Sequence, residues 1–292
     1  MRTMAHIVHP VVVGKESDLR VAQPITFETM RIAREFASGR VHMTPVYTKY
    51  VDEAPAIPED FQKAPDLDRS ILDVSTFRAR RKLALMKDIL DRLYQTTDAE
   101  YLIYTNVDIA LMPHFYVAVD QLIDQGYDAL VINRRVIPRS YADIQDIPLM
   151  YAQVGRPHPG CDCFVFKRSA YPDYRLGMAF IGSGRIGLIM AVNLYYNATT
   201  FKQFRDLHLT FHIGGDAPWL SDDLKAERAH NNDELKKLMI HYDVRRNPPD
   251  DPILTGRLFE VYRPESIASA RRALRRVRRR VARRCKRIVR II

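Results

Sequence analysis

The 292-residue chain is poor in cysteine (three residues), glycine (twelve) and tryptophan (one). The odd, sparse set Cys161, Cys163 and Cys285 excludes a disulfide framework and suits a reducing compartment. No stretch has the length of a membrane span. The longest uncharged one, residues 186–201, includes two asparagines and falls short of the roughly 20 apolar residues a bilayer requires. The apolar run 7–13 is broken by His9 and Pro10, and no small-residue cleavage site follows. No signal peptide is therefore expected, and the chain reads as cytoplasmic. Walker-type Gly-Lys-Ser/Thr and Gly-x-Ser-x-Gly sequences are also missing, which sets aside ATPase and α/β-hydrolase chemistry.

What is present suits a globular chain of one large domain or two small ones: 47% hydrophobic and 27% charged residues, enough to bury a core. The net charge of +10 suggests nucleic acid until it is located. Residues 271–290 hold eleven Arg, one Lys and no acid, so the rest of the chain is slightly acidic. Two regions follow: a domain over residues 1–263 and a basic appendage over 264–292. In the appendage Ile267, Ala270, Leu274, Val277, Val281, Cys285, Ile288 and Ile292 recur at three- and four-residue steps with Arg between them. That spacing predicts an amphipathic helix. Residues 266–292 would lie on an anionic membrane surface, each cation adding about 1 kcal/mol, so that the protein is peripheral at the inner membrane face. The tail has no aromatic side chain to stack on bases, which disfavours a nucleic-acid partner.

Along residues 1–263, strand-length apolar runs alternate with helix-period segments. Strands are expected over 5–13, 41–48, 101–106, 129–133 and 162–166, and helices over 23–36, 80–94, 113–125 and 188–197. Residues 49–70, rich in Pro and acids, read as a long surface excursion. Leu207, Leu209, Phe211 and Ile213 alternate with His208, Thr210 and His212, which puts both histidines on one strand face. Residues 219–263 are polar and turn-rich and are expected to wrap over the site. The rhythm predicts an α/β fold with a mostly parallel central sheet flanked by helices, plus a basic C-terminal helix.

The chemistry is expected at the carboxyl ends of the strands, where open α/β sheets bind ligands. Asn106 and Asp108 fall two residues apart just after the 101–106 run, placed to share a hard divalent cation. Arg134 and Arg135 follow the 129–133 strand, and Arg81 and Lys82 stand at the expected head of the 80–94 helix. Both sets could hold phosphate. His212 precedes Gly214-Gly215-Asp216 at a strand end.

Asn106-Val107-Asp108 after an apolar strand resembles the Asp-x-Asp signature of GT-A-fold nucleotide-sugar glycosyltransferases. The order relative to residues 129–135, 159–167 and the late His212 is similar too, over roughly residues 5–216. The resemblance implies a GT-A-like domain, a nucleotide-sugar donor, and Mn²⁺ or Mg²⁺ at Asp108 and Asn106 with His212 completing the shell. The acceptor would be a glycan or lipid-linked molecule. The region after the first strand, with Glu16 and Asp18, would then meet the nucleotide base. The chain departs from the pattern in having Asn at the first signature position. It also lacks a carboxylate in residues 181–187, where the family often carries its base. Asp162 or His158 would stand in as the base. The other class of reading is a non-catalytic nucleotide- or glycan-binding protein of the same fold.

Overall fold

The computed structural model describes residues 1–75, 77, 81–215 and 224–262. The chain divides into two units, Met1–Arg245 and Arg246–Ile292. The appendage, the boundary expected at 263/264, Asp216 and Arg80 all lie outside the described residues.

In the first unit, β1 (Arg2–Val8) ends where His9 and Pro10 interrupt the apolar run, five residues short of the expected end. Helix α1 (Leu19–Phe36) starts four residues before the expected position, with Pro24 inside it. It leads to β2 (Val41–Tyr47) and β3 (Gln62–Lys63). The expected excursion over 49–70 is anchored instead by buried Tyr50, Phe61, Ala64 and Leu67, with β3 added to the sheet beside β2. Helix α2 (Met86–Thr96) begins six residues later than expected. Leu85 is tied as a bridge to Phe180, and Met86 N–H donates to the Ala179 carbonyl, which holds the preceding residues extended. Arg81 and Lys82 therefore do not open a helix, and no helix N-terminus adds donors to them.

The chain continues through β4 (Tyr101–Thr105), β5 (Ala110–Leu111), α3 (Phe115–Asp124), β6 (Ala129–Ile132) and β7 (Arg135–Ile137). A short α4 (Ile147–Tyr151) and β8 (Arg156–Pro157) precede β9 (Cys163–Lys167), α5 (Ile186–Asn197), β10 (Phe201–Phe204) and β11 (Thr210–Ile213). The alternating run from 207 is a strand only from Thr210. His208 lies in the turn before it and does not share a strand face with His212. The region expected to be irregular beyond 219 contains α6 (Lys225–His241) in this unit. In the second unit it contains α7 (Pro252–Phe259), capped by the Asp251 carboxylate.

The fold is mixed α/β. Seven strands form one sheet in the order β10-β6-β9-β4-β1-β2-β3, all parallel except β9, which runs antiparallel between β4 and β6. A second sheet has the order β5-β11-β7-β8. Side chains alternate across the large sheet. Met4, Val8, Ile103, Leu130 and Val165 meet α1 and α3 through Phe27, Met30, Phe115 and Val119. The intervening Ala5, Ile7, Leu102, Val131 and Phe164 are buried as well, so both faces are covered, as parallel strands require. Helix α5 is apolar all round and correspondingly buried.

One polar group sits in this core. His6, on β1, has Nδ1 2.9 Å from Tyr116 Oη and Nε2 2.9 Å from Thr105 Oγ1. Burial pushes its pKa down to about 3. Only the unfolded chain then takes the proton, so its stability contribution is full above pH 6.5 and falls as pH drops toward 3, by about 1.4 kcal/mol per unit. Urea titrations at pH 7.5 and 5 check this. The loss between them is expected to shrink by about 2 kcal/mol in His6→Gln, and an unchanged loss excludes His6 as its source.

Candidate active site

Strand β4 ends at Thr105, and the next residues turn back immediately, with Ile109 N–H donating to the Asn106 carbonyl. The buried Tyr104 hydroxyl donates to Asn106 Oδ1 at 2.8 Å. Antiparallel pairing of β5 with β11, Phe211 opposite Ala110, brings His212 beside the turn. His212 Nε2 lies 3.2 Å from Asp108 Oδ2, and Nδ1 lies 2.8 Å from the Gly214 carbonyl oxygen. The two side chains are 15% and 27% exposed. Asp108 Oδ1 is buried with no hydrogen-bond partner. Burial works against ionisation of Asp108, but the His212 hydrogen bond and the positive charges of His212 and Arg134 outweigh it and hold its pKa below the ordinary carboxylate value.

The Gly214 carbonyl can only accept, so His212 Nδ1 carries a proton. Nε2 then faces the carboxylate with either a second proton or a bare lone pair. The lone-pair form is how a metal-ligating imidazole is oriented, with its other nitrogen donating to a carbonyl. Together with the orphaned Asp108 Oδ1, this donor set fits a hard divalent cation held by one carboxylate and one imidazole, its remaining positions open to phosphate oxygens. Among the described residues no group of three or more His, Cys, Asp or Glu converges on one point. The Asn106 amide oxygen is already engaged by Tyr104.

The antiparallel β9 sets the other half of the site. Because Cys163 pairs with both Thr105 and Ile132, the residue before β9 sits where β4 and β6 end. Asp162 is thereby placed against Arg134, and Arg134 Nη1 donates to Asp162 Oδ1 at 2.6 Å, with side chains only 5% and 10% exposed. Arg134 Nε and Asp162 Oδ2 have no hydrogen-bond partner. His158 Nδ1 accepts the Gly160 N–H at 2.9 Å and stands 3.8 Å from Asp162 Oδ2. Burial, then the charges of Asp108 and Asp162, push the Tyr104 phenol upward, which puts both acids in one neighbourhood.

The structure thus brings together Asn106, Asp108, Arg134, His158, Asp162 and His212. It does not bring in the other basic residues. Arg135 points to Asp206 and to the Val154 and Gly155 carbonyls. Lys82 pairs with Asp52 and lies 4.0 Å over the Tyr50 ring, and Arg81 is exposed. Asp18 pairs with Arg139 at 2.7 Å. The segments that follow β1 and β2 enclose a largely apolar cavity of about 550 Å³ lined by Val11, Gln23, Phe27, Ile57 and Phe61, and Asp18 does not line it. None of the six clustered residues lines it.

Sequence reading missed Tyr104, whose apolar setting concealed its hydroxyl, and the buried Ser183 and Glu227, whose side-chain oxygens have no hydrogen-bond partner. Residues 182–187 also have Gly-x-Gly-x-x-Gly spacing at the head of α5. A single bridge at Phe180, not a sheet strand, precedes them, so the strand–turn–helix context of a dinucleotide fingerprint is missing. Two of these glycines serve close packing. An added Cβ would stand 3.2 Å from Leu83 at Gly182 and 2.7 Å from the Cys161 carbonyl oxygen at Gly187.

No family model matches the chain, and no curated protein does. Solved structures do. S. aureus TarS in complex with UDP-GlcNAc is 11% identical over 82% of this chain and 72% of its own, with a TM-score of 0.46. Glucosyl-3-phosphoglycerate synthase from Mycobacterium tuberculosis, with Mn²⁺, UDP and glucosyl-3-phosphoglycerate, is 11% identical over 81% and 80%, with a TM-score of 0.46. The mannosyltransferase PcManGT from Pyrobaculum calidifontis, with GDP-Man and Mn²⁺, is 14% identical over 89% and 69%, with a TM-score of 0.47. The likeness to these proteins is one of fold outline.

Proposed function

We propose that the chain is a glycosyltransferase that moves a sugar from a nucleotide-sugar donor to a glycan or lipid-linked acceptor. The observation that carries this reading is the Asp108–His212 pair, set beside the buried Arg134–Asp162 pair at the carboxyl ends of β4 and β6. Asp108 and His212 would hold Mn²⁺ or Mg²⁺, with Asn106 adjoining, and the ion would supply positive charge to the departing diphosphate. Arg134 fixes Asp162 through Oδ1 and leaves Oδ2 to take a hydrogen bond, and then the proton, from an acceptor hydroxyl. His158 Nδ1 is occupied by the Gly160 amide, which favours Asp162 over His158 for that role. The apolar cavity beside Gln23 would suit a nucleobase.

Among the described residues no helix is long and apolar enough to cross a membrane. The proposed membrane partner is an anionic surface met by residues 266–292. The lack of a carboxylate in residues 181–187, at the head of α5, favours the second reading, a nucleotide- or glycan-binding protein of the same fold that transfers nothing.

A thermal-shift series of the full chain against UDP-, GDP-, CMP- and dTDP-sugars, with and without Mn²⁺, tests the proposal. One nucleotide class is expected to raise the melting temperature only with the metal, since a ligand that binds the native state stabilises it. Silence across the series sinks the transferase reading and leaves only the glycan-binding form of the second. Binding without hydrolysis or transfer selects the second. In a parallel arm the chain should sediment with anionic vesicles and not with neutral ones, and indifference to both removes the membrane partner.

A further inference from the structure

Residues 158–162 connect β8 to β9 and present Asp162, and two buried amides grip this turn from the ends of β6 and β10. Strand β10 runs parallel to β6 with Gln203 opposite Val131, and the Asn133 N–H extends the pairing by donating to the Phe204 carbonyl. The Gln203 amide nitrogen donates to Asn133 Oδ1 at 2.8 Å and to Cys161 Sγ at 3.3 Å, while its oxygen accepts from Arg205 at 3.1 Å. Asn133 Nδ2 in turn donates to the His158 carbonyl at 3.0 Å. The ends of this chain fix the orientation of both amides, because a guanidinium can only donate and a carbonyl can only accept. Gln203 thus reaches both arms of the turn, one through Asn133 and the other directly.

The turn has little slack elsewhere. The His158 N–H donates to the Arg134 carbonyl, and the Gly160 N–H donates to His158 Nδ1. A Cβ added at Gly160 would stand 2.7 Å from His158 Nδ1 and 3.0 Å from Asp162 Oδ2, so these two side chains close over Gly160 with no room for a methyl group. Any movement of the backbone here therefore moves Asp162. Neither amide titrates, and neither hydrogen-bonds to the Asp162 carboxylate, so what they do for the chemistry passes through the turn. A reacting group displaced by about 1 Å can lose about 100-fold in rate.

We propose that Gln203 is a positioning residue: through Asn133 and Cys161 it sets where Asp162 Oδ2 meets the acceptor hydroxyl. This rests on the reading of Asp162 as the group that takes the acceptor proton. The test compares the full chain with Gln203→Glu and Gln203→Leu in Mn²⁺. The ionised glutamate keeps the shape and the bond to Arg205 but has no proton for Asn133 or Cys161, and the leucine loses all three bonds. Both variants are expected to lower turnover, read as transfer or donor hydrolysis, by about 100-fold. Donor affinity should stay unchanged, because Asp108 and His212 are untouched. A second readout uses chains labelled with ¹⁵N in the histidine rings, at pH about 8, where an ordinary imidazole is neutral. His158, identified as the signal lost in His158→Gln, should show a bare Nδ1 and a protonated Nε2 in the unaltered chain and a mixture of tautomers in both variants. Undiminished turnover in either variant, donor affinity falling in step with turnover, an unchanged His158 tautomer, or loss of the folded state in both variants would each overturn the role. An unaltered chain that turns no donor over would sink the transferase reading and the role of Asp162 with it. The tautomer still reads whether Gln203 holds the turn, which tells the two failures apart.

Discussion

Asp108→Ala is expected to lower the affinity for the donor's nucleoside diphosphate in Mn²⁺ by at least 100-fold, about 2.7 kcal/mol. The substitution removes the carboxylate whose Oδ1 has no protein partner and leaves His212 as the lone strong donor. The Asn106 oxygen, which also accepts from Tyr104, offers at most a neutral ligand in place of the lost charge. Calorimetric titration checks the effect, and chelating the metal from the unaltered protein should reproduce the affinity of the variant. Asp108→Asn, which keeps an oxygen but not the charge, should fall between the two. Unchanged affinity in Asp108→Ala would refute the assignment of the ion to this turn.

The second large effect concerns stability. Arg134→Met leaves Asp162 buried without its guanidinium, and breaking such a pair typically costs about 3–5 kcal/mol. For a chain of this size that lowers the melting temperature by roughly 10 °C. Combining Arg134→Met with Asp162→Leu removes both charges and should recover most of the loss, because an apolar pair of similar volume replaces a buried ionic one at little net cost. The double variant should nevertheless be inactive in a transfer or donor-hydrolysis assay. Urea melts of the three proteins decide the matter. If the double variant is no more stable than Arg134→Met, the pair is not an isolated ionic unit. If it retains activity, Asp162 is not the group that takes the acceptor proton.

The parts of this structure legible in the sequence are those where hydrophobic patterning and burial coincide. The run 101–106 ends in polar residues because the sheet ends there, so Asn106 and Asp108 could be placed at its rim. Helix α6 could not be found that way. Its inward face carries Glu227, Asn231 and Glu234, so a search for apolar residues at helical spacing sees a solvated segment. The opposite error occurs at residues 81–85, where Leu83 and Leu85 mimic a helical stripe while the bridge to Phe180 keeps the backbone extended. Strands β5, β7 and β8 have two or three residues each, too few for any period, yet β5 is what delivers His212 to Asp108. The reversed direction of β9, on which the Arg134–Asp162 contact depends, leaves no trace in local composition.

That reversed strand also sets a timetable. Among the described strands β6 pairs only with β9 and β10, both of which follow it in the chain. During synthesis from the N-terminus, residues 129–132 therefore wait with open edges until residue 163 and those after it have emerged, while β1, β2 and β4 can already join. Late closure of long-range pairings slows folding and leaves strand edges open to misassembly. Nascent chains that stop before residue 162 would hold half a sheet and the Asp108 turn, but neither Asp162 nor His212, so that both charged pairs are completed only in the second half of translation.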